Sequence, residues 1–191
     1  MLCFILLVLG SKFFIDRMRV DNLYRHGFQL YEEQIATYLK EHYSGISKIE
    51  FSPIFKSGEN GEGFVYARIV PVVYDTYGNK VYLRNDGVLK MGVADYEMAA
   101  GIDLDFNVND GSEIIYLRND QKESISVESY QNLPDELKLN KDEITDEAME
   151  AFSREGHLKG VEKNDQGSPQ AEIVYNLEIR RVQGREFYEW K

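Results

Sequence analysis

Around Gly45 the hydrophobic pattern changes its period, from steps of three and four to steps of two, and a chain that switches once near its start must set a helix against a sheet. From Val20 to Tyr43 the apolar positions Leu23, Phe28, Tyr31, Ile35, Tyr38 and Leu39 follow the helical spacing, which defines one buried face. Glu32, Glu33, Gln34, Lys40 and Glu41 fall on the other face, so the pattern predicts a long amphipathic helix with these groups in water. Gly45 suits the left-handed residue that follows a last turn. After Ile46, apolar Ile49 and Phe51 alternate with Lys48 and Glu50, and strands are predicted over 63–75, 80–84, 88–91, 102–108, 112–118 and 124–130. The turn strings GENGEG, TYGNK, two NDG triplets and NDQ separate them, the sign of an antiparallel meander. Pro71 cannot donate to a ladder and implies a bulge or an edge inside the longest run. A second helix is expected over Lys141–Arg154, with Ile144, Ala148, Ala151 and Phe152 as a narrow stripe, Gly156 as its end and a 3-10 turn in NLPDELKLN before it. Two final strands follow, 171–182 with Ile173, Tyr175, Leu177 and Ile179 on one face, and REFYEWK. The expected class is α+β: a long N-terminal amphipathic helix packed on an antiparallel meander sheet, with a short helix before the last two strands.

The opening residues MLCFILLVLGSKFFI are apolar except for Ser11 and Lys12. Residues 1–19 therefore read as a membrane anchor or signal-like segment, and 20–191 as one globular domain. The uninterrupted run is short against a span of about 20 residues, but Phe13, Phe14 and Ile15 lengthen it while Lys12 snorkels. No basic cluster precedes the run, which leads to the expectation of a true start upstream. Cys3 has no small residue before it, as lipid attachment requires, and a single cysteine forms no internal disulfide. Arg17, Arg19 and Arg25 would hold the domain in the cytoplasm under the positive-inside rule; upstream basic residues would reverse this. The adopted reading is a single N-terminal anchor in the cell membrane with an extracytoplasmic domain.

Residues 1–19 contain Lys12, Arg17 and Arg19 against Asp16, which leaves 19 basic and 32 acidic residues in the rest of the chain. That balance argues against nucleic acid and suits a basic partner. No HExxH, glycine-rich phosphate loop, GxSxG or CxxC occurs, and His26, His42 and His157 are scattered. Neither catalysis nor a cofactor is expected. The string IDLDFNVNDGSE offers Asp103, Asp105, Asn107, Asn109 and Asp110 as hard oxygen ligands. Counted from Asp103, however, Val108 replaces the glycine of a calcium loop and Ile114 its glutamate. Alternation of Ile102, Leu104, Phe106 and Val108 instead predicts a strand with its carboxylates in solvent, hence an acidic docking face and no metal. Asp103, Asp105, Glu113, Tyr82 and Tyr116 are the candidate partner contacts. The pentapeptide YLRND stands at 82–86 and again at 116–120; its diverging flanks mark two hairpin edges, each releasing the chain into an Asn-Asp turn. Were the two strands adjacent, Arg84 and Arg118 would share a face and balance nearby acids. The run 135–150 adds a second acidic surface.

Taken in order, the apolar anchor, long helix, meander sheet and acidic body resemble the TipC-like immunity proteins of Gram-positive bacteria. The resemblance lies in layout and carries over no site residue. It implies a membrane-anchored immunity protein that binds and occludes an antibacterial LXG-type toxin delivered by type VII secretion. Cystatin-like cell-envelope proteins, with a ligand-binding or structural role, resemble the layout too, although the cystatin QxVxG string is absent and RRVQGRE is the nearest to it.

Overall fold

The computed structural model describes residues 2–57, 66–84, 96–97, 101–106, 113–182 and 190. The expected strand 88–91, the turn 58–63, both NDG triplets and REFYEWK apart from Trp190 lie outside them. In chain order the elements are α1 (Leu2–His42), β1 (Tyr43–Ser44), β2 (Ile46–Phe51), β3 (Ile54–Ser57), β4 (Tyr66–Ile69), β5 (Pro71–Asp75), β6 (Lys80–Tyr82), β7 (Tyr96–Glu97), β8 (Ile102–Phe106), β9 (Glu113–Arg118) and β10 (Ser124–Ser126). A 3-10 turn (Asp135–Leu137), α2 (Glu143–Arg154), β11 (Glu162–Lys163), β12 (Glu172–Val174) and β13 (Ile179–Arg181) complete the chain. The class is α+β, as the pattern predicts.

Helix α1 is one continuous rod of 41 residues, about 60 Å at 1.5 Å per residue. Residues 2–19 of the expected anchor or signal-like segment 1–19 belong to this helix. Helix α2 starts and stops as its sequence dictates. Asp142 caps it by accepting from the backbone N–H of Ile144 and Thr145. At its end Gly156, with φ +78°, donates to Ser153 O, and His157 N–H reaches Phe152 O, the paired bonds of a left-handed helix stop.

The strands form more than a meander. One sheet has the order β12-β2-β5-β6 and another β13-β3-β4-β7. The C-terminal strands β12 and β13 run parallel to β2 and β3, so the end of the chain closes both sheets beside their first strands. The same three stretches of chain cross from one sheet to the other: β2 into β3 at Ser52-Pro53, β4 into β5 at Val70, and β12 into β13 through residues 175–178. They define a single crease, the way strands turn a corner between sheets. Pro71 begins β5 at this corner, beside the break the sequence suggested. Ser52 seals it: its N–H donates to Val70 O at 3.0 Å, and its Oγ accepts from Val70 N–H at 2.8 Å. The expected single strand 171–182 is thereby two, because it has to change sheets.

A third sheet, β10-β9-β8, lies on the other side of α1. Close approach there requires Gly27, since a Cβ at that position would stand 2.6 Å from Ile115 Cδ1. The helix is consequently buried between two layers. Leu30, Ala36 and Gln34 are buried along with the predicted stripe, and Glu32 is fully buried. This corrects the expectation that Glu32 and Gln34 face water: a central helix has no wet side over this length.

Candidate functional site

The predicted acidic strand exists as β8, held in the third sheet by antiparallel pairing with β9. The register sets Asp103 opposite Tyr116 and Asp105 opposite Ile114. Arg118 donates from Nη2 to Asp103 Oδ2 at 3.3 Å across the same pair of strands. Asp105 is exposed. Glu113 pairs through its backbone with Phe106, and its side chain lies outside the described residues, as do Asn107, Asn109 and Asp110.

After β9 the chain turns at Asn119-Asp120. Asn119 Oδ1 accepts from the N–H groups of Gln121 and Glu123, and Lys122 takes φ +62°. Asp120 then accepts from Asn140 N–H and Nδ2, at 3.0 and 2.8 Å. This clamp joins the turn after β9 to the segment just before α2, and further acids lie on the 3-10 turn and on α2. There Lys138 holds the Asp135 carboxyl below its usual range, and Lys141 does the same to Glu143, while Glu147 and Glu150 are exposed.

Tyr82 is elsewhere. Tyr82 of the first YLRND copy ends β6, an edge of the crossed sheets, while Tyr116, Leu117 and Arg118 of the second lie in β9, the centre of the third sheet. Arg84 and Arg118 therefore share no face, and only the second copy shows its Asn-Asp turn within the described residues. Asp103, Asp105 and Tyr116 come together, and Tyr82 is separate from them. Its neighbours are cations and aromatics: Arg84 lies 4.8 Å and Lys80 5.0 Å from its ring centre, and Trp190 packs edge-on at 5.8 Å. Beside it, Lys48 Nζ sits 3.9 Å over Tyr74, and both Lys48 and the Tyr74 hydroxyl donate to Glu50 Oε2, at 2.8 and 2.7 Å. The acidic, aromatic-bearing face expected from the sequence is thus two surfaces, one with the β8 acids and one where tyrosines alternate with Lys80 and the Lys48–Glu50 ion pair.

Two polar clusters had no sequence signature. Tyr38, Tyr43 and Lys163 all donate to Asp146, at 2.7, 2.5 and 2.6 Å. Burial pushes the Asp146 carboxyl up, but these three donors outweigh it and hold it below its usual range. The cluster pins α1, β1, β11 and α2 together. Glu32 is the reverse case. Its Oε2 accepts from Asn176 N–H at 3.1 Å, its Oε1 has no partner, and burial pushes its pKa up to about 9. Gln34, two residues on, is satisfied by Arg118 O and Leu137 O. Leu30, Ala36 and Gly27, all off the predicted stripe, were the available sign that this side of α1 is also covered.

The histidines have local roles: His26 contacts Val127 O, His42 stacks on Tyr38, and His157 packs against Phe152. Among the described residues no group of His, Cys, Asp and Glu is arranged to hold a metal ion, and no helix is long and apolar enough to cross a membrane. Compared with protein families, curated proteins and solved structures, the chain matches none.

Proposed function

We propose that this chain is a non-catalytic, membrane-tethered binding protein of the immunity kind, which neutralises an antibacterial LXG-type toxin by covering its active site. The observation that carries the reading is the acidic strand β8, with Asp103 and Asp105 on one face and Asp105 exposed, in a sheet whose Asn119-Asp120 turn is clamped to Asn140 just before the acidic helix α2. Side chains there are presented by hydrogen-bonded strands and a capped helix, so a partner meets a preformed charge pattern, which steers encounter and selects against wrong partners. The apolar start of α1 supports attachment to a membrane, with the globular part outside the cell. Because α1 runs unbroken into the core against which β8 and β9 pack, the proposed tether leads directly into the body that carries the docking residues.

The test is binding of the full chain, purified in detergent, to each secreted toxin of the strain that carries this gene, with toxin activity as the second readout. Tight binding with loss of toxin activity is expected. Binding to none of the secreted toxins of the same strain would remove the reading. Asp105→Lys is expected to slow association several-fold at low salt and to leave dissociation nearly unchanged.

A further inference from the structure

Glu32 lies on neither docking surface, and its one hydrogen bond joins α1 to the end of the chain. Residues 171–182, the β12–β13 ribbon, run back along α1 from its last turn toward its start. Lys40 Nζ donates to Ala171 O at 3.3 Å, Glu32 Oε2 accepts from Asn176 N–H at 3.1 Å, and Arg181 Nη2 donates to Asp21 at 2.9 Å. Glu32 therefore holds the middle of the ribbon, at the crossover 175–178 where it passes from one sheet to the other.

The ribbon is anchored at one end and lightly held beyond it. At its root Ser168 is buried, with its N–H donating to Lys40 O at 2.7 Å and its Oγ to Tyr43 O at 2.7 Å, and Ala171 is buried beside it. From 172 to 182 every residue is half-buried or exposed. Among the described residues each strand is the edge of its sheet and pairs over three residues with one neighbour, β12 with β2 and β13 with β3. An element with little buried apolar area and edge-only pairing opens at a lower free energy than the core does.

What the seated ribbon covers is an acid. Glu32 is fully buried, its Oε1 has no partner, and burial pushes its pKa up to about 9 against the lowering effect of the Asn176 N–H. As a carboxylate it would stand in a site closed to water with a single backbone donor, which is costly; as a neutral acid it rests there. The cations of the neighbouring elements are engaged elsewhere: Lys40 with Ala171 O, Arg181 with Asp21, Arg180 with Glu178, Lys48 with Glu50, Lys56 over the Tyr24 ring, and Arg118 with Asp103 beyond α1. Glu33, which accepts from Gln29 and from Leu133 N–H, adds negative charge nearby. On the ribbon Glu172 is exposed, and burial together with Glu33 and Glu32 pushes the Tyr175 hydroxyl up, so it stays neutral.

From this arrangement we infer that Glu32 and the ribbon form a proton-operated latch: the ribbon stays seated over the protonated acid, and it lifts from β2 and β3 as a unit, pivoting at Ser168–Ala171, when Glu32 gives up its proton to water. The open state bares the edges of β2 and β3 that the ribbon otherwise covers. Because the closed state holds a proton that the open state releases, opening is suppressed in acid. It becomes about ten-fold more populated for each pH unit between the ordinary carboxyl range and the raised one, and levels off above it.

Amide hydrogen exchange of the full chain in detergent reads the opening directly, followed from about pH 5.5 to about pH 7.5 with each rate divided by the intrinsic rate at that pH. In the wild type, protection of the amides in 172–182 is expected to fall about ten-fold per pH unit and to stay below that of β8 and β9 throughout. Glu32→Gln keeps an acceptor for Asn176 and has no proton to lose, so its ribbon protection is expected to hold constant within about two-fold. Ribbon and third-sheet amides with one common protection at every pH would mean that the ribbon opens only with the whole domain, which overturns the latch; the wild type alone decides this. Ribbon protection that does not change with pH, or that falls as steeply in Glu32→Gln, overturns Glu32 as the trigger.

Discussion

Glu32 shows how much a single residue can be decided by what packs around it. Glu32 and Glu33 are neighbours on a charged stretch of helix. Glu33 accepts from Gln29 and from Leu133 N–H at the edge of the core, while Glu32 is enclosed with one bond and an unpartnered oxygen. An enclosed carboxylate of this kind is far costlier than a neutral acid, so the folded state keeps the proton. The folded pKa is raised from 4.5 to about 9, and between those limits the folded chain holds a proton that the unfolded chain has released. Stability must then fall as pH rises through this window, at about 1.4 kcal/mol per pH unit from this group. Glu32→Gln keeps an acceptor for Asn176 and has no charge to lose. It is expected to match wild type near pH 4.5 and to exceed it by roughly 3 kcal/mol at pH 7. Denaturant unfolding of both chains from pH 5 to 8 measures the difference, which cancels the contribution of the many other acids. Parallel curves would show that Glu32 ionises freely in the fold. Asp146 has the opposite sign. Its lowered pKa contributes stability present above the usual carboxylate range and lost as acid protonates it, and Asp146→Ala, which strands two tyrosine hydroxyls, is expected to cost about 2 kcal/mol and to lower hydrogen-exchange protection in α2.

Between elements the deciding contacts are close approaches that the periodicity of a sequence does not encode. Gly27 is an example in which two effects compete. Replacing it with alanine raises helix propensity by about 1 kcal/mol, but the new methyl would stand 2.6 and 2.8 Å from Ile115 Cδ1 and Cγ2 and 3.0 Å from Ile102 Cδ1. Overpacking of a buried contact costs about 1–3 kcal/mol, and because Ile115 is itself enclosed by the third sheet, the clash should win. Gly27→Ala is expected to destabilise by roughly 1 kcal/mol, and Ile115→Val, which removes the nearest carbon, should recover part of it. Coupling between the two in a double-mutant cycle of urea midpoints is the check; additive effects would mean that helix and sheet do not press together here. The same distinction explains what was legible. Helix α2, its glycine stop, the 3-10 turn, the strands of the third sheet and the Asn119-Asp120 turn are local, and their residues announce them. The parallel return of β12 and β13 depends on partners more than a hundred residues away, and the crease at Ser52 and Val70 and the second covered side of α1 depend on segments that no local pattern places beside them. Of the candidate site, Asp103, Asp105 and Tyr116 were readable because alternation fixes a strand face. The grouping of Tyr82 with Lys80, Tyr74 and Lys48 was not, since it follows from which strands become neighbours.

At the scale of the molecule the central fact is that one helix runs from the apolar first residues into the core. Among the described residues, the core contacts of α1 start at Val20, Leu23 and Tyr24, and Arg181 bonds Asp21 at 2.9 Å. From there the same helix continues to its junction with Asp146 and Lys163. If the first turns only carry the body to a membrane, removing residues 2–17 takes away none of these contacts. The unfolding midpoint should then change by less than about 1 kcal/mol, while co-sedimentation with phosphatidylcholine vesicles is lost. If those turns instead pack onto the body, the shortened chain would lose buried apolar area and unfold well below the full chain. Inserting two glycines between Asp16 and Arg17 distinguishes tethering from rigid presentation. Vesicle binding should survive, because the apolar segment is intact, but the helix would be interrupted where arm becomes core. A body that must be held at a fixed angle to reach its partner would then bind the toxin in solution as before and protect a membrane-bound target less well. Equal protection by both chains would show that the arm supplies local concentration alone, with the effective concentration set by tether length rather than by the orientation of α1.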